Sequence, residues 1–134
     1  MGACYEVNLK IQFKDKDSES KCVIVLQDFI RESSKGVNYS LEKFAKEGVT
    51  PDSFTDILKI FLGGWIYNHP VIKRKKKWLY YRNGFDASYS WESVMMEMFD
   101  HISPYLVDGS ELYIYPDNDY DHLIVKNGRY KMLH

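Results

Sequence analysis

Tyr5-Glu6-Val7-Asn8-Leu9-Lys10-Ile11-Gln12-Phe13 decides the fold class. Apolar residues hold every odd position and polar residues every even one, the period of a strand with one buried and one wetted face. The odd set should face a core together with Phe54, Leu58, Phe61, Met95, Phe99 and Ile102, whose own spacing is helical.

Downstream, Cys22, Val25, Leu26, Phe29 and Ile30 recur at spacings of three and four, which predicts a helix over 18–33, capped by Asp17 or Ser18 and ended before Gly36. Ser40 and Gly48 bracket a second, short helix. Thr50-Pro51-Asp52 combines a capping hydroxyl, a proline at the first helical position and an acid near the positive helix end. A third helix is expected there, with Phe54, Ile57, Leu58, Phe61 and Leu62 as its stripe and Gly63-Gly64 at its end. Trp65 to Ile72 is apolar but broken by Asn68, His69 and Pro70, and fits neither period. Lys77 to Arg82 reads as a strand closed by an Asn83-Gly84 turn. Ser90 caps a further helix with Val94, Met95, Met98, Phe99 and Ile102 on one face. The remainder reads as a meander: Glu111 to Tyr115, a turn over Pro116 to Asp119, His122 to Lys126, a tight Asn127-Gly128 turn, and Arg129 to Leu133. The expected architecture is α+β, a mainly antiparallel sheet of about five strands with helices packed on one face, forming a single domain over 1–134.

Composition agrees with one folded domain: 134 residues, 45% hydrophobic and 28% charged, exclude a disordered or low-complexity chain. The 16% aromatic content, with 11 Tyr, places many hydroxyls at the edge of the core. No run approaches the roughly 20 apolar residues that span a bilayer, and no signal-peptide pattern opens the chain, so a cytoplasmic protein without membrane attachment is expected. Met1-Gly2-Ala3-Cys4 starts like an acylation signal, but Glu6 stands where myristoylation wants Ser or Thr. Cys4 and Cys22 lack metal-ligand spacing and are expected as buried thiols.

The net charge of −1 hides a segregation. Asn83 through Val125 contains no Lys or Arg and nine acids, whereas the remainder holds all 18 basic residues against 10 acids, a balance of +8. The sharpest basic feature is Lys73-Arg74-Lys75-Lys76-Lys77, directly before Trp78-Leu79-Tyr80-Tyr81-Arg82. Cations for phosphates beside rings for stacked bases are what single-stranded nucleic acid requires. The competing reading is a solvated loop whose lysines protect a sheet edge.

Asp117-Asn118-Asp119-Tyr120-Asp121 alternates carboxylates like the first half of a calcium loop, but His122 and Gly128 stand where that loop needs Gly and Glu. The four histidines are scattered, and no nucleophile elbow, zinc helix, P-loop or dinucleotide fingerprint occurs. Glu97 and His101, four apart, are as well explained by an ion pair as by acid/base chemistry. No catalytic residue, metal ligand or cofactor is assigned from the sequence.

The tail from Ile102 to Leu133, with Ser103-Pro104-Tyr105-Leu106, Asp108-Gly109-Ser110 and Lys126-Asn127-Gly128, resembles the C-terminal part of small uncharacterised bacterial proteins of phage and other mobile elements. That resemblance implies a ferredoxin-like α+β domain, here with a helical insertion between Ser18 and Leu62. It covers the last quarter of the chain and transfers no site residues.

Three functional expectations follow. The first is a non-catalytic inhibitor or accessory factor whose acidic half, through Asp108, Glu111, Asp117, Asp119 and Asp121, binds a protein partner with a basic surface. The alternative is a nucleic-acid-binding module acting through Lys73, Arg74, Lys75, Lys76, Lys77, Trp78, Tyr80 and Arg82. An enzyme without a recognisable motif is the third.

Overall fold

The computed structural model describes residues 3–63, 69–115 and 120–133. The elements are β1 (Ala3–Ile11), α1 (Ser18–Ser33), α2 (Leu41–Lys46), α3 (Phe54–Leu62), β2 (Val71–Lys75), β3 (Trp78–Ala87), α4 (Trp91–Ile102), a 3-10 turn (Ser103–Tyr105), β4 (Glu111–Tyr115), β5 (Asp121–Lys126) and β6 (Arg129–Leu133). The strands form one antiparallel sheet in the order β2-β3-β1-β4-β5-β6. The protein is therefore α+β, with its helices on one face. The turn expected over Pro116 to Asp119 lies outside the described residues.

The alternation in β1 is realised as read. Tyr5, Val7, Leu9 and Ile11 are buried with Phe54, Leu58, Phe61, Met95, Phe99 and Ile102, while Phe13 sits half-buried and meets Phe54 edge to face. Across the helical layer, Phe29 of α1 stacks on Phe61 of α3, and Tyr39 meets both Phe61 and Trp91 of α4 edge-on. These rings join three helices into one layer over the sheet, each buried aromatic adding roughly 0.5–1.5 kcal/mol per ring pair beyond its area.

Four local expectations are corrected. The basic run is only in part a loop: Val71–Lys75 is itself the edge strand β2, paired from Val71 with Arg82 to Lys75 with Trp78. Lys76, with φ 59, and Lys77 make the tight turn into β3. Asn83-Gly84 does not end β3, because pairing with β1 carries the strand on to Ala87 opposite Ala3. The third helix starts one turn later than expected. Ser53 is its cap, accepting from the Asp56 amide at 3.3 Å, while the Thr50 hydroxyl goes to Asp52 instead. Finally, Cys22 is buried but Cys4 is exposed and donates its thiol to Asp86 at 3.0 Å.

Candidate functional site

Helices cover one face of the sheet. The side chains on the other face are set by register. Reading across the strands, Val71, Arg82, Asn8, Tyr113, His122 and Leu133 share one row, and Lys73, Tyr80, Lys10, Glu111, Ile124 and Lys131 share the next. Lys75 and Trp78 extend the first side of this surface, and Glu6 and Tyr115 extend the other.

Within β3 the alternation places Trp78, Tyr80 and Arg82 on this open face while Leu79, Tyr81 and Asn83 turn into the core. Trp78 and Tyr80 are half-buried and Arg82 is exposed. Two-residue steps along a strand put Trp78 and Tyr80 roughly 6.7 Å apart, close to the spacing of bases in an extended single strand. The Lys10 ammonium lies 4.7 Å from the centroid of the Trp78 ring, a cation on the open side of the sheet.

A second aromatic group adjoins the first across β1. Tyr113 stacks on His122 with centroids 3.8 Å apart and on Tyr115 at 5.9 Å, and Tyr120 reaches Tyr115 at 6.0 Å. The His122 Nε2 bonds Glu111 Oε2 at 2.9 Å. Desolvation among these groups, then the Glu111 charge, holds the Tyr113 phenol above its ordinary pKa. Between the two aromatic groups lies a cavity of about 440 Å³, lined by Asn8, Lys10, Tyr80, Arg82, Glu111 and Tyr113 among others.

The sequence-predicted basic set divides. Lys73, Lys75, Trp78, Tyr80 and Arg82 come together on the open face, Lys76 and Lys77 occupy the hairpin turn at its border, and Arg74 points to the opposite side. There Arg74 meets Glu19 of α1 in two bonds of 3.1 Å. Lys10, Asn8, Tyr113, Tyr115 and His122 were missed by the sequence reading. The signals were present as the polar positions of the β1 alternation and as tyrosines alternating with Leu112 and Ile114, but nothing in the sequence places β1 between β3 and β4.

The acidic set is spread. Asp117 and Asp119 lie outside the described residues. Glu111 is on the open face, whereas Asp121 pairs with Ile114 and so shares the helix side. Asp108, exposed, accepts from the Asn127 amide at 2.9 Å at the far end of β5, which strand rise puts roughly 17 Å from Asp121. Glu97 and His101 make no acid/base pair: the His101 Nδ1 donates to the Glu97 backbone carbonyl at 2.7 Å. Among the described residues, no group of His, Cys, Asp or Glu is arranged to hold a metal ion, and no helix is long and apolar enough to cross a membrane.

No protein-family model matches the chain, and comparisons with curated proteins and with solved structures return no match.

Proposed function

We propose that the protein binds single-stranded nucleic acid on the open face of its sheet. The observation that carries the reading is the co-facial placement of Trp78, Tyr80 and Arg82 beside Lys10, Lys73 and Lys75. Trp78 and Tyr80 stack successive bases, each stack contributing about 1–3 kcal/mol, and the flanking cations take the phosphates. Lys10, long and flexible, exchanges the Trp78 ring for a phosphate as a base arrives. A duplex is disfavoured, because its bases are already stacked and a flat sheet reaches only their edges.

The strand order supports the ferredoxin-like expectation for the first four strands: β1 to β2 and β3 to β4 each cross over through helices, and the two units interleave as β2-β3-β1-β4. The β5–β6 hairpin then widens the open face. The tail resemblance adds a phage or mobile-element setting to such a module and no activity of its own.

Fluorescence anisotropy with a labelled single strand of about 15 nucleotides, within the range such surfaces occupy, tests the reading. Binding at low salt should fall with rising salt at a log–log slope of about −0.7 per phosphate held. The Trp78→Ala/Tyr80→Ala variant loses two stacks, about 2 kcal/mol or more together, and should bind at least about thirtyfold more weakly. Absence of binding at low salt, or a double variant that binds like the wild type, would overturn the reading. The first result would return attention to the acidic segment and a basic protein partner.

A further inference from the structure

We infer that the cavity on the open face selects guanine from a bound single strand through the carboxylate of Glu111. The inference rests on the nucleic-acid reading above and concerns which base that surface prefers.

The cavity, of about 440 Å³, lies over β1, with Tyr80 and Arg82 reaching it from β3, and Glu111, Tyr113 and Tyr115 from β4. Its aromatic rings accept any base, since every base has a π-face. Discrimination therefore falls to the polar groups that a base edge meets, and Glu111 is the carboxylate lining the cavity. It is held in place: Oε2 is bonded to His122 Nε2 at 2.9 Å, and the imidazole is itself clamped by stacking on Tyr113 at 3.8 Å. A carboxylate has about four lone-pair sites, so the bond to His122 orients the group and leaves acceptors over. The Glu111 side chain keeps 25% of its exposure, enough for a base edge to reach it.

A fixed carboxylate sorts bases by what stands beside each donor. Guanine offers N1–H and an N2 amino hydrogen side by side, both pointing the same way, and can bond the carboxylate twice. Adenine and cytosine offer an amino group next to a ring nitrogen whose lone pair the carboxylate repels. Uracil and thymine flank their single N–H with a carbonyl on each side, the least favourable case. The expected order is guanine first, adenine and cytosine together, uracil or thymine last, with each good bidentate pair setting a difference of about tenfold or more.

The test uses labelled oligouridylates of about ten nucleotides that differ at one central position, which carries guanosine, adenosine, cytidine or uridine. With wild-type protein the guanosine probe should bind about tenfold tighter than the uridine probe. Glu111→Gln keeps the size of the side chain and removes its charge. With that variant, checked as folded by circular dichroism, the four probes should fall within about twofold of one another while the uridine probe binds no more weakly than before. Equal binding of all four probes by the wild type, or tightest binding of another base, overturns the guanine inference and leaves the nucleic-acid reading standing. A guanosine preference that survives in Glu111→Gln overturns the role of Glu111. Failure of every probe to bind at low salt overturns both.

Discussion

The guanidinium of Arg74 meets the carboxylate of Glu19 through two hydrogen bonds of 3.1 Å on the helix side of the sheet, while its neighbours Lys73 and Lys75 project from the open side. Strand geometry thus divides Lys73, Arg74 and Lys75 between two surfaces. Lys73→Ala with Lys75→Ala should weaken binding of a single strand several-fold at low salt and flatten the salt slope by about 1.4, the share of two phosphate contacts. Arg74→Ala should leave binding within about twofold and, because the ion pair is exposed, should cost under about 1 kcal/mol of stability. Anisotropy at several salt concentrations and urea unfolding measure both. Equal losses of binding from the two variants would contradict the division.

The C-terminal end of α3 is satisfied from outside the helix. The Leu62 carbonyl accepts from the Tyr81 hydroxyl at 2.9 Å and the Asn83 amide at 3.1 Å, and the Phe61 carbonyl accepts from the Trp91 indole at 2.7 Å. Helix ends leave such carbonyls without intrahelical partners, and these three bonds tie α3 to β3 and α4. Asn83→Ala should cost about 1–2 kcal/mol, and Tyr81→Phe with Asn83→Ala should cost more than the two single changes together, since only the pair strips Leu62 of both partners. Gly63→Ala should be worse than Asn83→Ala, because a Cβ there would lie 2.1 Å from the Lys59 carbonyl oxygen. Urea midpoints of the four variants check this order.

Stability should fall on the alkaline side. Burial pushes the Cys22 thiol up to about 12, and burial, reinforced at Tyr5 by Glu92, holds the Tyr5 and Tyr81 phenols well above their ordinary range. Each group is neutral in the fold and ionises more easily in the unfolded chain, the thiol near pH 8.5 and the phenols near pH 10. Their stabilisation is therefore fully present below those values and is lost as pH rises toward the folded ones. The urea midpoint should drop between about pH 8.5 and 11, and the drop should be smaller in a Cys22→Ala/Tyr81→Phe variant even though that variant starts less stable. A midpoint unchanged over this range would contradict the burial of these groups.

How much was legible in the sequence follows from where each signal resides. The strand β1 and the helices α1 and α4 were readable because one buried face imposes a period on the chain itself. Strand β2 was not: Val71 and Lys73 to Lys75 are exposed and only Ile72 is half-buried, so an edge strand wetted on both sides leaves no alternation. Asn83-Gly84 carried a sound turn signal that lost to the long pairing with β1 and to the Leu62 carbonyl, which gives the buried Asn83 amide its acceptor. The same distinction divides the site. Trp78, Tyr80 and Arg82 lie close in sequence and were seen together, whereas Lys10, Tyr113 and His122 join them only because β1 lies between β3 and β4.

The open face as a binding surface is tested most directly by an amide ¹H–¹⁵N titration of the protein with a short single-stranded oligonucleotide at low salt. The account predicts that the largest shifts fall on Asn8, Lys10, Lys73, Trp78, Tyr80, Arg82 and Tyr113, with the Trp78 indole signal among them, and that α1 and α4 move little. Shifts concentrated on α1, α4 or the turn at Asp108, with the open face unmoved, would contradict it.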